Sequence, residues 1–291
     1  MGAWSLGRPR MNPKMKSSIY WMATASLVLA GFAPLCATAE ERPLWEAGMG
    51  VAYINIPFYR GSNERISYIL PVPYLAYRGE FLQVSHEHVR GMLFKRDDVE
   101  LDISVNASVP VKSNETVARR EMPNLDPTLE IGPSLNFHLI RSEGGKADLD
   151  LRLPLRPVWT TKLEQTGWLF QPQLNIDMKD IGGNVGWNLG LVTGLIFADQ
   201  SYHRYFYDVD PEFATPTRPA YRAHGGYSGG QFIVALSKRY PDFWVGGFAK
   251  FDTLSGAVFV DSPLVKTRQY FSMGVAISWI LGQSKTMVKM D

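Results

Sequence analysis

From Val99 to Val109 the chain alternates without a break. Odd positions are apolar (Val99, Leu101, Ile103, Val105, Ala107, Val109) and even positions are polar or charged (Glu100, Asp102, Ser104, Asn106, Ser108). A period of two puts one set of side chains on each face of an extended strand. The pattern returns at 128–139, where Leu129, Ile131, Pro133, Leu135, Phe137 and Leu139 alternate with Thr128, Glu130, Gly132, Ser134, Asn136 and His138. It returns again at 147–157, where Leu149, Leu151, Leu153 and Leu155 alternate with Asp148, Asp150, Arg152 and Arg156. Strands of soluble domains run about five or six residues, whereas a tilted strand needs roughly 9–11 to cross a bilayer. These segments have the longer length.

Windows of strand character recur at intervals of roughly 20 residues, enough for one crossing strand and one connection. They lie at 45–54, 67–78, 80–89, 99–109, 128–140, 147–159, 168–178, 186–197, 201–209, 227–239, 243–253 and 270–281. Turn chemistry separates them: Gly61-Ser62-Asn63, Arg78-Gly79-Glu80, Glu143-Gly144-Gly145, Gly182-Gly183-Asn184 and Tyr240-Pro241-Asp242. The fold class predicted is all-β, an antiparallel transmembrane β-barrel of about 12 strands, with 10–14 as the range. Trp45, Trp159, Trp168, Trp187, Trp244 and Trp279 all fall near the ends of these windows. An amphipathic indole prefers the headgroup boundary, so end placement fits a membrane barrel, whereas a soluble sandwich would bury tryptophan in mid-strand.

The N-terminus bears on destination. Arg8, Arg10, Lys14 and Lys16 precede an apolar stretch from Ile19 to Ala33, and Ala37-Thr38-Ala39 follows. Basic, apolar, then small-x-small is the order of a cleavable export signal. Residues 1–39 are therefore expected to be removed after Ala39, leaving residues 40–291 as the barrel with a short polar tail on the periplasmic side. The four basic residues of 1–39 meet no acidic one, so their removal turns the formal charge from +2 to −2. No basic run remains to suggest nucleic acid. The single cysteine, Cys36, lies in the removed segment, so disulfide and thiolate chemistry are absent. No stretch after residue 39 reaches 18 continuous apolar residues, which excludes a helical span.

The polar face then points inward. Glu100, Asp102, Ser104, Asn106, Glu130, Asn136, His138, Asp148, Asp150, Arg152, Arg156, Gln171, Gln173, Asn175 and Asp177 would line the interior. Such a set reads either as a polar conduit or as a closed network of acid–arginine pairs and amides. Both readings stand at this point.

Catalytic and metal chemistry find little support. His86 and His88 share a strand face about 6.6 Å apart by the strand rise, but a structural metal site needs more ligands. His138, His203 and His224 lie in distant windows. Ser85 and His86 are adjacent and point to opposite faces, so they do not form a nucleophile and base, while a cross-strand pairing of His138 with a serine stays open. Gly182-Gly183, Gly225-Gly226 and Gly229-Gly230 lack the lysine and helix of a phosphate site. No catalytic, cofactor-binding or metal residues are assigned, and no cofactor. Two connections invite a functional reading. Lys112 to Glu121 carries both charge signs and, by strand parity counted from a periplasmic C-terminus, falls on the periplasmic side, as a docking element or a plain loop. Residues 210–226, with Asp210-Pro211 and Pro216-Thr217-Arg218-Pro219, would be an extracellular loop, either folded into the lumen or exposed.

Six segments resemble the MipA/OmpV family, named for an MltA-interacting protein. They are Pro57-Phe58-Tyr59-Arg60-Gly61-Ser62, Leu70 to Gly79, Met122 to Leu135, Tyr205-Phe206-Tyr207-Asp208-Val209, Pro219 to Tyr227, and Leu254 to Val265. The resemblance covers essentially all of residues 40–291. It implies a Gram-negative outer-membrane protein in contact with outer-membrane lipid. It also implies a non-enzymatic scaffold that brings a lytic murein transglycosylase together with a murein synthase for peptidoglycan remodelling. A porin-like small-solute channel and an outer-membrane enzyme acting on lipid are the alternatives. Asp208 departs from the family pattern, in which glycine often stands between Tyr207 and Val209. The chain also runs on past Trp279 to Asp291, where barrels often end on an aromatic residue. Either Phe271-x-Met273-x-Val275-x-Ile277-x-Trp279 serves as an internal terminal signal, or the last residues are a periplasmic extension.

Overall fold

A computed structural model describes residues 41–79, 82–84, 89–91, 94–95, 98–142, 145–181 and 186–289. The expected signal at 1–39 and the segment Ser85-His86-Glu87-His88 lie outside them.

The alternating segments pair into one antiparallel sheet. Its strands in chain order are β2 (Trp45–Pro57), β3 (Arg65–Arg78), the short β4 (Leu82–Val84), β5 (Val89–Gly91) and β6 (Phe94–Lys95), then β7 (Val99–Ala107), β8 (Thr128–Arg141) and β9 (Ala147–Thr160). They continue with β10 (Gln165–Phe170), β11 (Gln173–Lys179), β12 (Trp187–Ala198), β13 (Gly226–Arg239), β14 (Phe243–Thr253) and β15 (Gln269–Gln283). Two short strands, β1 (Glu41–Pro43) and β16 (Met287–Lys289), make a separate ribbon. Hydrogen bonding joins β5-β4-β3-β2-β15-β14-β13-β12-β10-β9-β8-β7-β6, with β11 also between β12 and β9. Sequence neighbours are sheet neighbours, and the first and last long strands pair with each other (Val51 with Ile277). β5 lies alongside β7, so the ends of the path come together.

Burial is inverted relative to a soluble protein. Outward positions carry Val275 at 61% and Ile69 at 75% exposure, while inward Glu46 is at 0%. A contiguous apolar outer band with polar groups within is what a hydrocarbon solvent selects. Trp159 and Trp168 at one end and Trp45 and Trp279 at the other face outward, 37–48% exposed, as two girdles. Trp244 departs from that expectation: it turns into the lumen, where the absent side chain of Gly246 leaves room for its ring.

Two windows resolve differently from the expectation. Residues 168–178 form β10 and β11 because Pro172, which has no N–H, interrupts the ladder. Window 201–209 is the helix α1 (Gln200–Tyr207), not a strand. Its run of aromatics has β propensity, yet Asp199 caps it by accepting from the Tyr202 amide at 2.9 Å, and the i, i+4 pair His203 and Tyr207 forms its buried face. Conversely, the region after β3 holds a short ascending strand (β4) and a descending pair (β5, β6) where one crossing strand was expected. Counted back from the C-terminus, the loss of window 201–209 as a crossing strand reverses the parity of every strand before it. The connection containing Lys112 to Glu121 therefore lies at the end of the barrel away from the chain termini, not on their side. The C-terminal segment, expected as a polar extension, pairs with β1 (Lys289 with Glu41).

Candidate functional site

The alternation at β7, β8, β9 and β11 delivers a charged inner wall. Arg156 Nε donates to Glu130 at 2.9 Å, Nη1 to Ser104 at 2.9 Å and Nη2 to Gln171 at 2.7 Å. His138 Nδ1 meets Asp150 at 2.9 Å and its Nε2 lies 3.7 Å from Glu100. Arg141 reaches Asp148 at 3.0 Å, and Asn136 donates to Asp102 at 2.8 Å. Acid–arginine pairs and amides form along this wall, and the lumen opposite them holds a cavity. The wall gathers Glu100, Asp102, Ser104, Glu130, Asn136, His138, Asp148, Asp150, Arg152, Arg156 and Gln171. His138 is engaged by carboxylates, not by a serine.

The end away from the termini carries a folded cap. Residues 57–65, 107–128, 198–226 and 253–269 converge there on a core that includes Tyr59, Met122, Leu125, Tyr207, Val209, Leu254, Phe259 and Leu264. Phe259 stacks on Tyr207 at 3.8 Å between centroids. Polar ties lock the segments together: Tyr207 donates to the Arg60 carbonyl (2.9 Å), Ser262 to the Tyr207 carbonyl (2.8 Å), Arg119 to the Phe206 carbonyl (2.9 Å) and Arg218 to the Arg120 carbonyl (2.9 Å). Beneath the cap, Arg60 and Lys250 flank the fully buried Asp252 at 3.4 and 3.2 Å. Residues 210–226 pack on the cap through Phe213, Arg218, Tyr221 and Ala223, while Glu212, Pro216, Thr217 and Pro219 among others are exposed, so the segment joins the cap without entering the lumen.

Two cap groups have displaced proton equilibria. Burial pushes the His203 imidazole below its usual range, despite the bond its Nδ1–H donates to the His224 carbonyl at 2.6 Å. Burial alone would raise the Asp208 carboxyl, but the Ala223 amide (2.7 Å), Arg222 (2.8 Å) and Arg204 (3.0 Å) outweigh it and hold the group below the ordinary value. Asp208 has φ −68°, which needs no glycine, and its side chain ties α1 to residues 222–223. The departure from the family pattern therefore leaves this connection intact.

Sequence reasoning missed a Ser–His contact. Ser228 donates to His203 Nε2 at 2.5 Å. A bulge at Ser228, made with Gly229 at φ +104°, turns the hydroxyl inward. Both residues are 0% exposed, and a carbonyl stands where a triad would place its carboxylate. The pair is sealed from solvent and ties α1 to β13. Among the described residues, no group of three or more His, Cys, Asp or Glu is arranged to hold a metal.

Opposite the charged wall the inner surface is small and apolar, and a cavity of about 300 Å³ opens there, lined by Ala52, Ile54, Val192, Ala235 and Phe248, with Asn175 and Asp177 on its polar side. At the end of the chain termini Glu46 accepts from Tyr74 (3.0 Å), Arg78 (3.3 Å) and Arg239 (2.6 Å), crossing from β2 to β3 and β13.

The profile of the family described as MltA-interacting protein MipA matches residues 47–281. A search of curated proteins finds no match. Among solved structures the chain is similar to an outer membrane channel from Pseudomonas putida F1 (12% identity, 84% of this chain and 98% of that one, TM-score 0.37). It is also similar to the toluene transporter TbuX of Ralstonia pickettii (11% identity, 84% and 70%, TM-score 0.23). Likenesses this distant carry no argument about the lumen.

Proposed function

Because the chain belongs to the MltA-interacting protein MipA family over residues 47–281, we propose that it is a non-enzymatic outer-membrane scaffold. In this reading it holds a lytic murein transglycosylase, and with it a murein synthase, at the barrel end that carries the chain termini. Family membership is the observation that carries this reading. Two structural features support it. The cap covers one end of the barrel and the charge network lines one wall of its lumen. The long connections, 107–128, 198–226 and 253–269, gather at the capped end, while 141–147 and 239–243 at the other end are short. Outer-membrane barrels keep short turns on the periplasmic side, where murein lies. The docking surface is then the β1–β16 ribbon and the short turns beside it, and Lys112 to Glu121 faces away from it. Residues 1–39 act as the export signal in this reading.

The test is retention from envelope extract by the immobilised, refolded chain 40–291, with bound material assayed for murein-degrading activity. Retention is expected for the intact chain and a loss of retention on deleting residues 284–291. A folded intact barrel that retains no murein hydrolase overturns the scaffold reading. Planar-bilayer recording separates the porin-like alternative: the capped barrel is expected to be silent, and steady conductance would favour the small-solute channel.

A further inference from the structure

We propose that the lumenal cavity between β11 and β2 is a binding site for a small amphiphile with an apolar body and a protonated amine. The cavity holds about 300 Å³, the lower end of the range for small-molecule sites. Its floor is Ala52, Ile54, Val192, Ala235 and Phe248, which offers nothing to a polar solute and a full dispersion surface to an apolar one.

Its polar side is acceptor-rich. Asn175 is 3% exposed, lines the cavity, and its Oδ1 has no hydrogen-bond partner. A buried acceptor left unmade is costly, so a donor arriving there is favoured. Asp177 stands two residues along the same face; its Oδ2 lies 3.8 Å from Arg152 Nη2, while its Oδ1 lies 3.5 Å from where a side chain at Gly190 would begin, so the carboxylate overhangs the apolar floor. The wall behind is acid-rich: its buried members include Glu100, Asp102, Glu130 and Asp150 against Arg152 and Arg156. A cation is therefore drawn to the place where the apolar body has its pocket. Asn175 Oδ1 and the Asp177 carboxylate would accept from the ammonium while the body lies against Phe248 and Ile54.

The experiment is calorimetric titration of the folded barrel in lipid nanodiscs, with empty nanodiscs subtracted. The probes are 2-phenylethylammonium and its neutral counterpart 2-phenylethanol. Saturable binding is expected, with the ammonium about tenfold tighter, the size of one hydrogen bond between charged groups. Asp177→Asn should remove that tenfold preference and leave the alcohol unchanged. Gly190→Leu, whose side chain has room to enter the cavity, should abolish binding of both. Folding of each variant is checked by its heat-dependent gel mobility, and Ala235→Leu replaces Gly190→Leu if the latter does not fold. Absence of saturable binding to the unaltered barrel, equal affinity for the two probes, or insensitivity to the cavity-filling variant each overturns the proposal. None of these outcomes bears on murein-enzyme retention.

Discussion

Replacing Phe259 with alanine should open the cap and leave the barrel standing. Phe259 is wholly buried, stacked on Tyr207 at 3.8 Å and packed on His203 at 4.7 Å. Truncating a buried phenylalanine costs about 3–5 kcal/mol, the cavity left behind included. The residue sits in the core on which four connections converge, so the loss falls on cap opening. At about 1.4 kcal/mol per factor of ten, the opening equilibrium shifts by roughly two to three and a half orders of magnitude. The assay is hydrogen exchange of the barrel in nanodiscs, followed segment by segment. The amides of Val209, Tyr221 and Leu254, which bond to Tyr221, Val209 and Arg268 carbonyls, report on the cap. They should exchange about a hundredfold faster or more, while the β7–β8–β9 ladder is unchanged. Unaltered cap exchange, or an equal rise in cap and ladder, would refute the view that the cap is a separate cooperative unit.

Three further outcomes are expected from the same contacts. His203 is held neutral by burial, so its folded pKa lies below the ordinary 6.5. An unfolded cap binds that proton first, and stability is lost as pH falls below about 6.5, by at most ~1.4 kcal/mol per pH unit. Cap exchange, corrected for intrinsic rate, should steepen between pH 7 and 5, to about that slope per proton, and His203→Gln should flatten it. Glu46→Ala leaves Arg78 and Arg239 without their shared carboxylate and should destabilise the barrel by about 3–5 kcal/mol, read as a lowered midpoint for the heat-dependent gel shift. Gly229→Ala places a Cβ 2.1 Å from the Thr253 carbonyl at φ +104°, so the bulge that aims Ser228 should fail and cap exchange should rise with it.

Much of the barrel is written in the order of residues. A two-residue period maps directly onto two faces of a strand, so the alternation at 99–107, 128–141 and 147–160 determines which side chains face lipid and which face the lumen, whatever the neighbours. The inward carboxylates and arginines were legible for the same reason, and so were the girdle tryptophans other than Trp244. Features that depend on contacts between distant segments were not. Tyr202 to Tyr207 has strand-prone residues, and only the Asp199 cap and the core offered by Phe259 and Leu254 make it a helix. The end of the barrel on which Lys112 to Glu121 lies depends, counting back from the C-terminus, on whether 201–209 crosses as a strand, and its local residue preferences do not reveal that it folds as α1. The cap, the Ser228–His203 contact and the lumenal cavity are properties of surfaces brought together from connections and strands far apart in the chain. Local periodicity encodes facing, whereas closure and cavities arise only when those faces meet.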